Sequence, residues 1–289
     1  VAGLSCAYYS ALRGHHVVAY DRGNLGGQFN LAAEIPGKHE YIDTVRYFEA
    51  QLSLLGVEVH RNHEVGFEEL RELYADAIVF ATGVHPRMPD IEGIDHFSVM
   101  DYETAITEKS SIGDKVAIIG AGGIGFDVAE MLVTEDESKQ GWYRKWGIDT
   151  RYENRGGLLD ANIEHAVDSE YERTVYLLQR KQSKPGSNLA RTTGWIRRLS
   201  LRKAGVIMLS DVSYQKIDDF GLHIKHHGEA RTLAVDHVIV CAGQASEDAL
   251  YRQLSKIGQP THIIGGAKKA AELDAETAIR QGMELAYKL

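Results

Sequence analysis

The sequence predicts an α/β protein, and three observations carry this prediction. Short apolar strands alternate with amphipathic helices along most of the chain. A glycine-rich turn with the spacing Gly-x-Gly-x-x-Gly joins a strand to a helix at residues 120–125. An earlier helix and strand end in Asp21, the type of residue that closes the second half of a βαβ unit for a dinucleotide. Together they favour two Rossmann-like dinucleotide-binding domains.

The N-terminal segment predicts a helix and then a strand. Apolar residues recur at helical spacing between Leu4 and Leu12, and Gly14 is placed to end the helix. The run 17–20 is a short apolar strand that precedes Asp21. Because a complete unit starts with a strand and glycines, we expect these to lie before Val1, so that the sequence begins inside a domain.

The remaining elements follow in order. We expect an amphipathic helix at 42–55, strands at 57–60 and 77–81, a loop marked by Pro86, Pro89 and Gly93, a strand at 116–119, a helix after Gly125, a polar surface insertion at 135–172, strands at 175–178 and 206–209, a hairpin at 212–226, strands at 238–241 and 262–264, and a final helix at 274–289.

Repetition within this order predicts the domain organisation. The apolar strand that ends in Ala81-Thr82-Gly83 has a counterpart that ends in Ala242-Gly243. The strand and helix after Gly243 have no partner unless they close the first domain. We therefore expect an FAD-type domain in two parts, 1–109 and 244–289, with a second dinucleotide domain, 110–243, inserted between them.

Composition excludes several classes of function. A formal net charge of −9 argues against nucleic acid as a general partner. No apolar run approaches the ~20 residues of a membrane helix. The two cysteines, Cys6 and Cys241, form no C-x-x-C pair, which argues against a dithiol centre or an iron–sulfur site built from this chain, and no metal-ligand spacing occurs among the histidines. We expect a cytoplasmic protein with buried, unreactive thiols.

The turn at 120–125 has the features of a pyrophosphate site. Gly120 permits the tight turn, Gly122 lets the backbone approach a phosphate, and Gly125 lets the helix pack closely on the strand. Gly123 and Ile124 open the helix, whose N-terminus offers free N–H groups to an anion. The alternative is a glycine turn that binds no ligand; the strand before it and the apolar-faced helix after it favour binding.

The residues after the next strand indicate which nucleotide binds. An NAD site usually has an acidic residue there, whereas this strand is followed by Gln179-Arg180-Lys181. Arg180 and Lys184 are our candidates for contact with the 2′-phosphate of NADPH. The segment 173–203 contains nine basic residues and no acidic one. A solvated basic face is the alternative explanation for several of them.

The first unit also has candidate ligand contacts. Asp21 suits the adenosine ribose of FAD or NAD, and Gly26, Gly27 and Gln28 suit a pyrophosphate. A capped helix and an ordinary turn would explain the same residues.

Several long motifs resemble one family. They are Gly26–Asn30, Ile35–Lys38, Lys115–Phe126, Leu178–Lys181, Ser183–Gly186, Thr192–Ile196, Val212–Asp219 and Glu272–Ala275. These runs are similar to the C-terminal half of bacterial NADPH-dependent 2,4-dienoyl-CoA reductases, two-cofactor flavoproteins of the old-yellow-enzyme type. The resemblance covers essentially the whole chain.

The resemblance implies that NADPH delivers a hydride to FAD. FMN, an iron–sulfur cluster and the dienoyl-CoA of unsaturated fatty-acid β-oxidation would then belong to an N-terminal TIM-barrel half outside this sequence. The positions that match the family's FAD contacts are Gly3, Asp21, Gly26, Gly27, Gln28, Ala81, Thr82, Gly83, Arg87, Gly265 and Gly266. We add Gly243, because it ends the strand that repeats the pattern before Gly83.

Two other functions remain open on the sequence. One is a disulfide reductase of the thioredoxin-reductase type, against which the missing C-x-x-C counts. The other is a module that holds a nucleotide without catalysis. Hydride transfer needs no acid–base residue, and we assign no catalytic residue.

Overall fold

The computed structural model describes residues 1–134, 138–159, 173–271 and 274–289. The helices are α1 Ala2–Leu12, α2 Gln28–Ala33, α3 Tyr41–Leu54, α4 Phe67–Glu72, α5 Tyr102–Thr107, α6 Gly123–Val133, α7 Lys139–Lys145, α8 Gly194–Lys203, α9 Ala249–Lys256, α10 Gly265–Lys268 and α11 Ala275–Ala286, with a 3-10 helix at Lys109–Ser111. The strands are β1 Val18–Tyr20, β2 Glu58–His60, β3 Ile78–Phe80, β4 Val84–Pro86, β5 Val99–Asp101, β6 Lys115–Ile119, β7 Thr174–Leu178, β8 Ile207–Leu209, β9 Val212–Asp218, β10 Gly221–His226, β11 Glu229–Leu233, β12 His237–Val240, β13 Gln244–Ser246 and β14 Thr261–Ile263.

The described residues divide into two compact units. The first unit is Val1–Arg87 with Gly243–Leu289, and the second is Met88–Ala242. The first boundary lies earlier than the expected residue 109 because β5 pairs in parallel with β12, which places Val99 opposite Val238 in the second unit's sheet.

The second unit contains a parallel sheet with the strand order β5-β12-β6-β7-β8. Its central strand β6 is fully buried from Val116 to Ile118, as expected for a parallel sheet that is covered on both faces. From β6 the chain proceeds to β7 and β8 on one side, while β12 lies on the other. The carboxyl end of β6 is therefore the point where the strand order reverses, the usual ligand position in an open α/β sheet.

An antiparallel sheet of order β11-β10-β9 completes the second unit. The expected hairpin is present, and β11 adds a strand that the sequence does not predict. Leu222 and Ile224 on β10 pack in one apolar cluster with Ala117 and Ile119 of β6. This shared core joins the two sheets of the unit.

The described residues of the first unit form three two-stranded sheets, β1-β2, β3-β14 and β4-β13. Helix α1 packs on α11 and α3. A Cβ at Gly282 of α11 would lie 2.3 Å from the carbonyl oxygen of Ala2, so the two helix backbones are in direct contact. The side chain of Asp274 caps α11 by accepting a hydrogen bond of 2.7 Å from the Thr277 amide.

Some segments differ from the expectations. Residues 84–86 form β4 where a loop is predicted; Pro86 is tolerated because β4 pairs only with β13 in a two-stranded sheet. The expected insertion at 135–172 contains α7, and its residues 135–137 and 160–172 lie outside the described chain, as do Glu272 and Leu273 of the last family motif. No helix in the described part is long and apolar enough to cross a membrane.

Candidate functional site

The glycine turn of the second unit is shaped by its backbone. Gly120 has φ of +115°, and a Cβ there would lie 2.3 Å from the carbonyl oxygen of Cys241. A Cβ at Gly125 would lie 1.8 Å from the carbonyl oxygen of Gly120. Only glycine fits both positions, so the tight turn and the close helix packing that the spacing predicts are both present.

The other side of the turn is open. A Cβ at Gly122 or Gly123 would meet no atom within 4 Å. Gly122 is the N-cap of the 11-residue helix α6 and supplies no side-chain cap, and the first turn of α6, which includes Ile124, has no acidic residue. The helix therefore presents uncapped N–H groups to an open cradle, which suits a phosphate or pyrophosphate.

Basic side chains lie in the loop after β7, the strand that pairs with β6. Arg180 and Lys184 are exposed in the loop after β7, and among the described residues no carboxylate forms an ion pair with either of them. Burial raises the pKa of the Tyr214 phenol, and the nearby Arg180 guanidinium opposes that rise. Both cations are thus available to a ligand.

The loop itself is held in place by its own polar groups. The Gln179 side chain donates hydrogen bonds to the carbonyl oxygens of Lys181, at 3.0 Å, and Ser183. The Asp211 amide donates to the Lys181 carbonyl at 3.1 Å. The basic residues therefore extend from an ordered turn.

Arg197 is an important residue that the sequence does not single out. Its guanidinium lies between Asp127 and Glu130 of α6, and only 19% of its side chain is exposed. The burial of the guanidinium works to lower its pKa, but the two carboxylates hold that pKa above the usual value. No local signal could reveal this pairing, because the partners are 67 and 70 positions away in sequence.

In the first unit, the structure brings several candidate residues together at the start of α1. A Cβ at Gly3 would lie 2.9 Å from the Ala81 Cβ, and a Cβ at Gly265 would lie 2.7 Å from the Ala2 Cβ. A Cβ at Gly266 would lie 2.7 Å from a methyl group of Val84, with Gly83 beside it. The helix start, the end of β3 and the turn after β14 thus meet with only room for small residues.

The remaining candidates of this unit lie on adjoining turns. The Thr82 hydroxyl donates to the Glu247 carbonyl, and the Arg87 amide donates to the Gly243 carbonyl at 3.1 Å. The guanidinium of Arg87 is 3.4 Å from the position of a Cβ at Gly243. These contacts join β4 to β13 beside the convergence at α1.

The turn after β1 carries the last group. Asp21 accepts a hydrogen bond of 2.9 Å from the Gly23 amide. Gly26 and Gly27 have φ of +117° and +54°, and they lead into α2 at Gln28. The Gln28 side chain accepts a hydrogen bond of 3.2 Å from Gln244, next to Gly243. This contact brings Gly26–Gln28 to the same part of the unit as Gly243.

The cysteines are not part of a reactive site. Cys6 and Cys241 are free and buried, and burial raises the pKa of both thiols. No group of three or more metal-ligating side chains occurs in the described ranges.

Comparison with known proteins places these features in a family. The family described as "Pyridine nucleotide-disulphide oxidoreductase" matches residues 1–268. The metal reductase of Desulforamulus reducens is 26% identical over 286 residues, covering 93% of this chain and 40% of that protein. The cinnamate reductase of Clostridium sporogenes is 27% identical over 274 residues, covering 94% of this chain and 36% of that protein.

One solved structure resembles this chain over the chain's whole length. The 2-naphthoyl-CoA reductase complex with 2-naphthoyl-CoA has a TM-score of 0.81 and 25% sequence identity; the match covers 100% of this chain and 38% of that one. The chain thus spans about two fifths of the length of each of these three proteins.

Proposed function

Because the chain belongs to the pyridine nucleotide-disulphide oxidoreductase family, we propose that it passes a hydride from NADPH to FAD as the electron-entry half of a larger reductase. The family implies FAD and a nicotinamide nucleotide as cofactors. We infer NADPH as the nucleotide, and the role within a larger enzyme, from the observations that follow. In chemical terms the chain is a flavin oxidoreductase module.

The observation that carries the proposal is the open cradle in the second unit. Gly120 and Gly125 shape the turn, while Gly122 and Gly123 leave its outer side free for a pyrophosphate. The exposed guanidinium of Arg180 follows the adjacent strand β7. In such folds the ribose next to the pyrophosphate lies at the end of this strand, where Arg180 and Lys184 would pair with a 2′-phosphate.

The first unit would hold FAD. Gly3, Gly265 and Gly266 let the start of α1 and two turns approach closely, as a pyrophosphate site requires. Asp21 would accept hydrogen bonds from the adenosine ribose, although its Oδ1 already accepts one from Gly23. Ala81–Gly83, Arg87, Gly243 and Gly26–Gln28 complete the proposed contacts.

When bound, NADPH supplies a hydride and FAD accepts it. This chain's own residues would bind both nucleotides, and no side chain needs to donate or remove a proton. FMN, an iron–sulfur cluster and the substrate site would lie in the rest of the whole protein, on a TIM-barrel half.

The names of two matched proteins support the substrate class of the whole enzyme. They are a cinnamate reductase and a 2-naphthoyl-CoA reductase. An organic acid or its CoA thioester is therefore a suitable acceptor, and we propose a 2,4-dienoyl-CoA in unsaturated fatty-acid β-oxidation. We also propose a cytoplasmic location, supported by the free thiols of Cys6 and Cys241.

A disulfide substrate is less well supported. The sequence has two cysteines and no C-x-x-C, and both thiols are buried. A thiolate is needed to attack a disulfide, and burial that raises both thiol pKa values disfavours the thiolate. A module that only holds a nucleotide is the remaining alternative, and measured flavin reduction separates it from an enzyme.

Binding calorimetry of the chain with NADP⁺ and NAD⁺ tests the nucleotide assignment. We expect wild type to prefer NADP⁺, and Arg180→Ala to weaken NADP⁺ binding by about tenfold because a charge-assisted hydrogen bond is lost. NAD⁺ binding should stay unchanged. Arg231→Ala is the matched control, since it removes the same charge from an exposed position on β11. Equal affinity of wild type for the two nucleotides would refute the assignment.

A further inference from the structure

The loop that carries Arg180 and Lys184 is packed onto helix α6 through one glycine. We call residues 179–191 the basic loop. A Cβ at Gly186 would lie 2.6 Å from the Cζ of Phe126, whose ring is completely buried. The backbone of the basic loop therefore contacts the helix that forms the cradle directly.

Two adjacent arginines of α8 connect this helix to the basic loop and to α6. The Arg198 guanidinium donates a hydrogen bond of 2.8 Å to the carbonyl oxygen of Gly186. The Arg197 guanidinium donates to Glu130, at 2.9 Å from Nη2, and to Asp127. One arginine thus ties α8 to the basic loop, and its neighbour ties α8 to α6.

Arg197 also balances charge on the helix that faces the phosphates. Asp127 and Glu130 place two carboxylates on α6, whose positive N-terminal end forms the cradle. Without a nearby cation these carboxylates would repel a dinucleotide. The partly buried guanidinium between them reduces that repulsion, and its Cζ lies 5.9 Å from the centre of the Phe126 ring.

We propose that Arg197 and Arg198 are positioning residues for nucleotide specificity, which set NADPH preference without touching the nucleotide. The proposal rests on the proposed function of Arg180 and Lys184. A charge-assisted hydrogen bond requires its atoms within about 2.7–2.9 Å, so a loop that shifts away from α6 loses the 2′-phosphate contact first. The pyrophosphate cradle, which belongs to α6 itself, keeps its shape.

Substitution of Arg198 tests this role in the full chain. Arg198→Met keeps the length of the side chain and removes the hydrogen bond to Gly186. We expect NADP⁺ to bind about tenfold more weakly by calorimetry, with NAD⁺ affinity within about twofold of wild type. Arg202→Met is the matched control, because Arg202 is an exposed arginine on the same helix, and among the described residues its side chain bonds only to the Arg198 carbonyl.

Combining substitutions distinguishes positioning from general destabilisation. If Arg198 acts through Arg180, then Arg180→Ala added to Arg198→Met should weaken NADP⁺ binding by less than about twofold further. Arg197→Lys keeps the charge but loses the fork between Asp127 and Glu130, and we expect a smaller loss of NADP⁺ preference from it.

The outcomes separate this proposal from the proposed function. If wild type shows no NADP⁺ preference, the assignment of Arg180 fails. If wild type prefers NADP⁺ and Arg198→Met keeps that preference, the positioning role alone is overturned. Equal weakening of NADP⁺ and NAD⁺ binding, or fully additive losses with Arg180→Ala, would indicate a purely structural role and would also overturn it.

Discussion

At the scale of single residues, glycines of one turn have opposite surroundings. A methyl group at Gly125 would overlap the carbonyl oxygen of Gly120, whereas a methyl group at Gly122 would point into open space. Gly122 has φ of −88°, which alanine adopts without strain. Gly125 is therefore required for the packing of the fold, whereas Gly122 leaves room for a ligand.

Paired alanine substitutions test this division. Gly125→Ala should lower the free energy of unfolding by about 1–3 kcal/mol, because the added carbon forces the helix away from the strand. Gly122→Ala should lower it by less than about 1 kcal/mol, because alanine is a poorer N-cap than glycine but meets no clash, and it should still weaken NADP⁺ binding at least tenfold. Urea unfolding and calorimetry give both values. A Gly122→Ala variant that binds as wild type does would show that the open side is not the nucleotide cradle.

The sequence predicts the geometry of this turn but not the contacts of α8 that support it. The glycine spacing and the basic residues after β7 are local patterns that follow directly from the chain. The contacts of Arg197 with Asp127 and Glu130 join α8 to α6 across a long separation in sequence. Such pairs depend on how helices pack, which periodicity does not encode.

At the scale of elements, the strands that surround β6 were predictable because burial on both faces makes them continuously apolar. Short edge elements were not. Strand β4 contains Pro86, and β11 is exposed along most of its length, so neither has a distinct apolar pattern. No helix is predicted at α8, because this segment is rich in arginine and buries only Gly194 and Leu201.

The packing of α1 on α11 gives a test of the first unit. A side chain at Gly282 would collide with the backbone of α1, at 2.3 Å from the Ala2 oxygen. We therefore expect Gly282→Val to lower the free energy of unfolding by about 1–3 kcal/mol or more in a urea titration. Gly23→Ala is the control, since a Cβ at Gly23 meets nothing within 4 Å. Equal stability of the two variants would contradict close contact between these helices.

At the scale of the whole molecule, the chain forms two compact units, one of which is contributed by two separate segments. The point at which the chain re-enters the first unit, Gly243, is predictable because the strand before it resembles the strand before Gly83. The boundary after Arg87 is not predictable in this way, because β5 is a three-residue strand that belongs to the parallel sheet of the second unit through its pairing with β12. The larger reductase that we propose would add its substrate site to this pair.

Anaerobic flavin reduction in the whole protein tests directly whether NADPH passes a hydride to FAD. NADPH or NADH is mixed with the FAD-loaded protein at equal concentration, and loss of the visible flavin band is followed in time. We predict that NADPH bleaches the band at least about tenfold faster than NADH, which corresponds to about 1.4 kcal/mol of discrimination. A band that NADPH leaves unbleached would show that NADPH does not reduce the flavin, and a band that NADH bleaches equally fast would rule out the proposed NADPH preference.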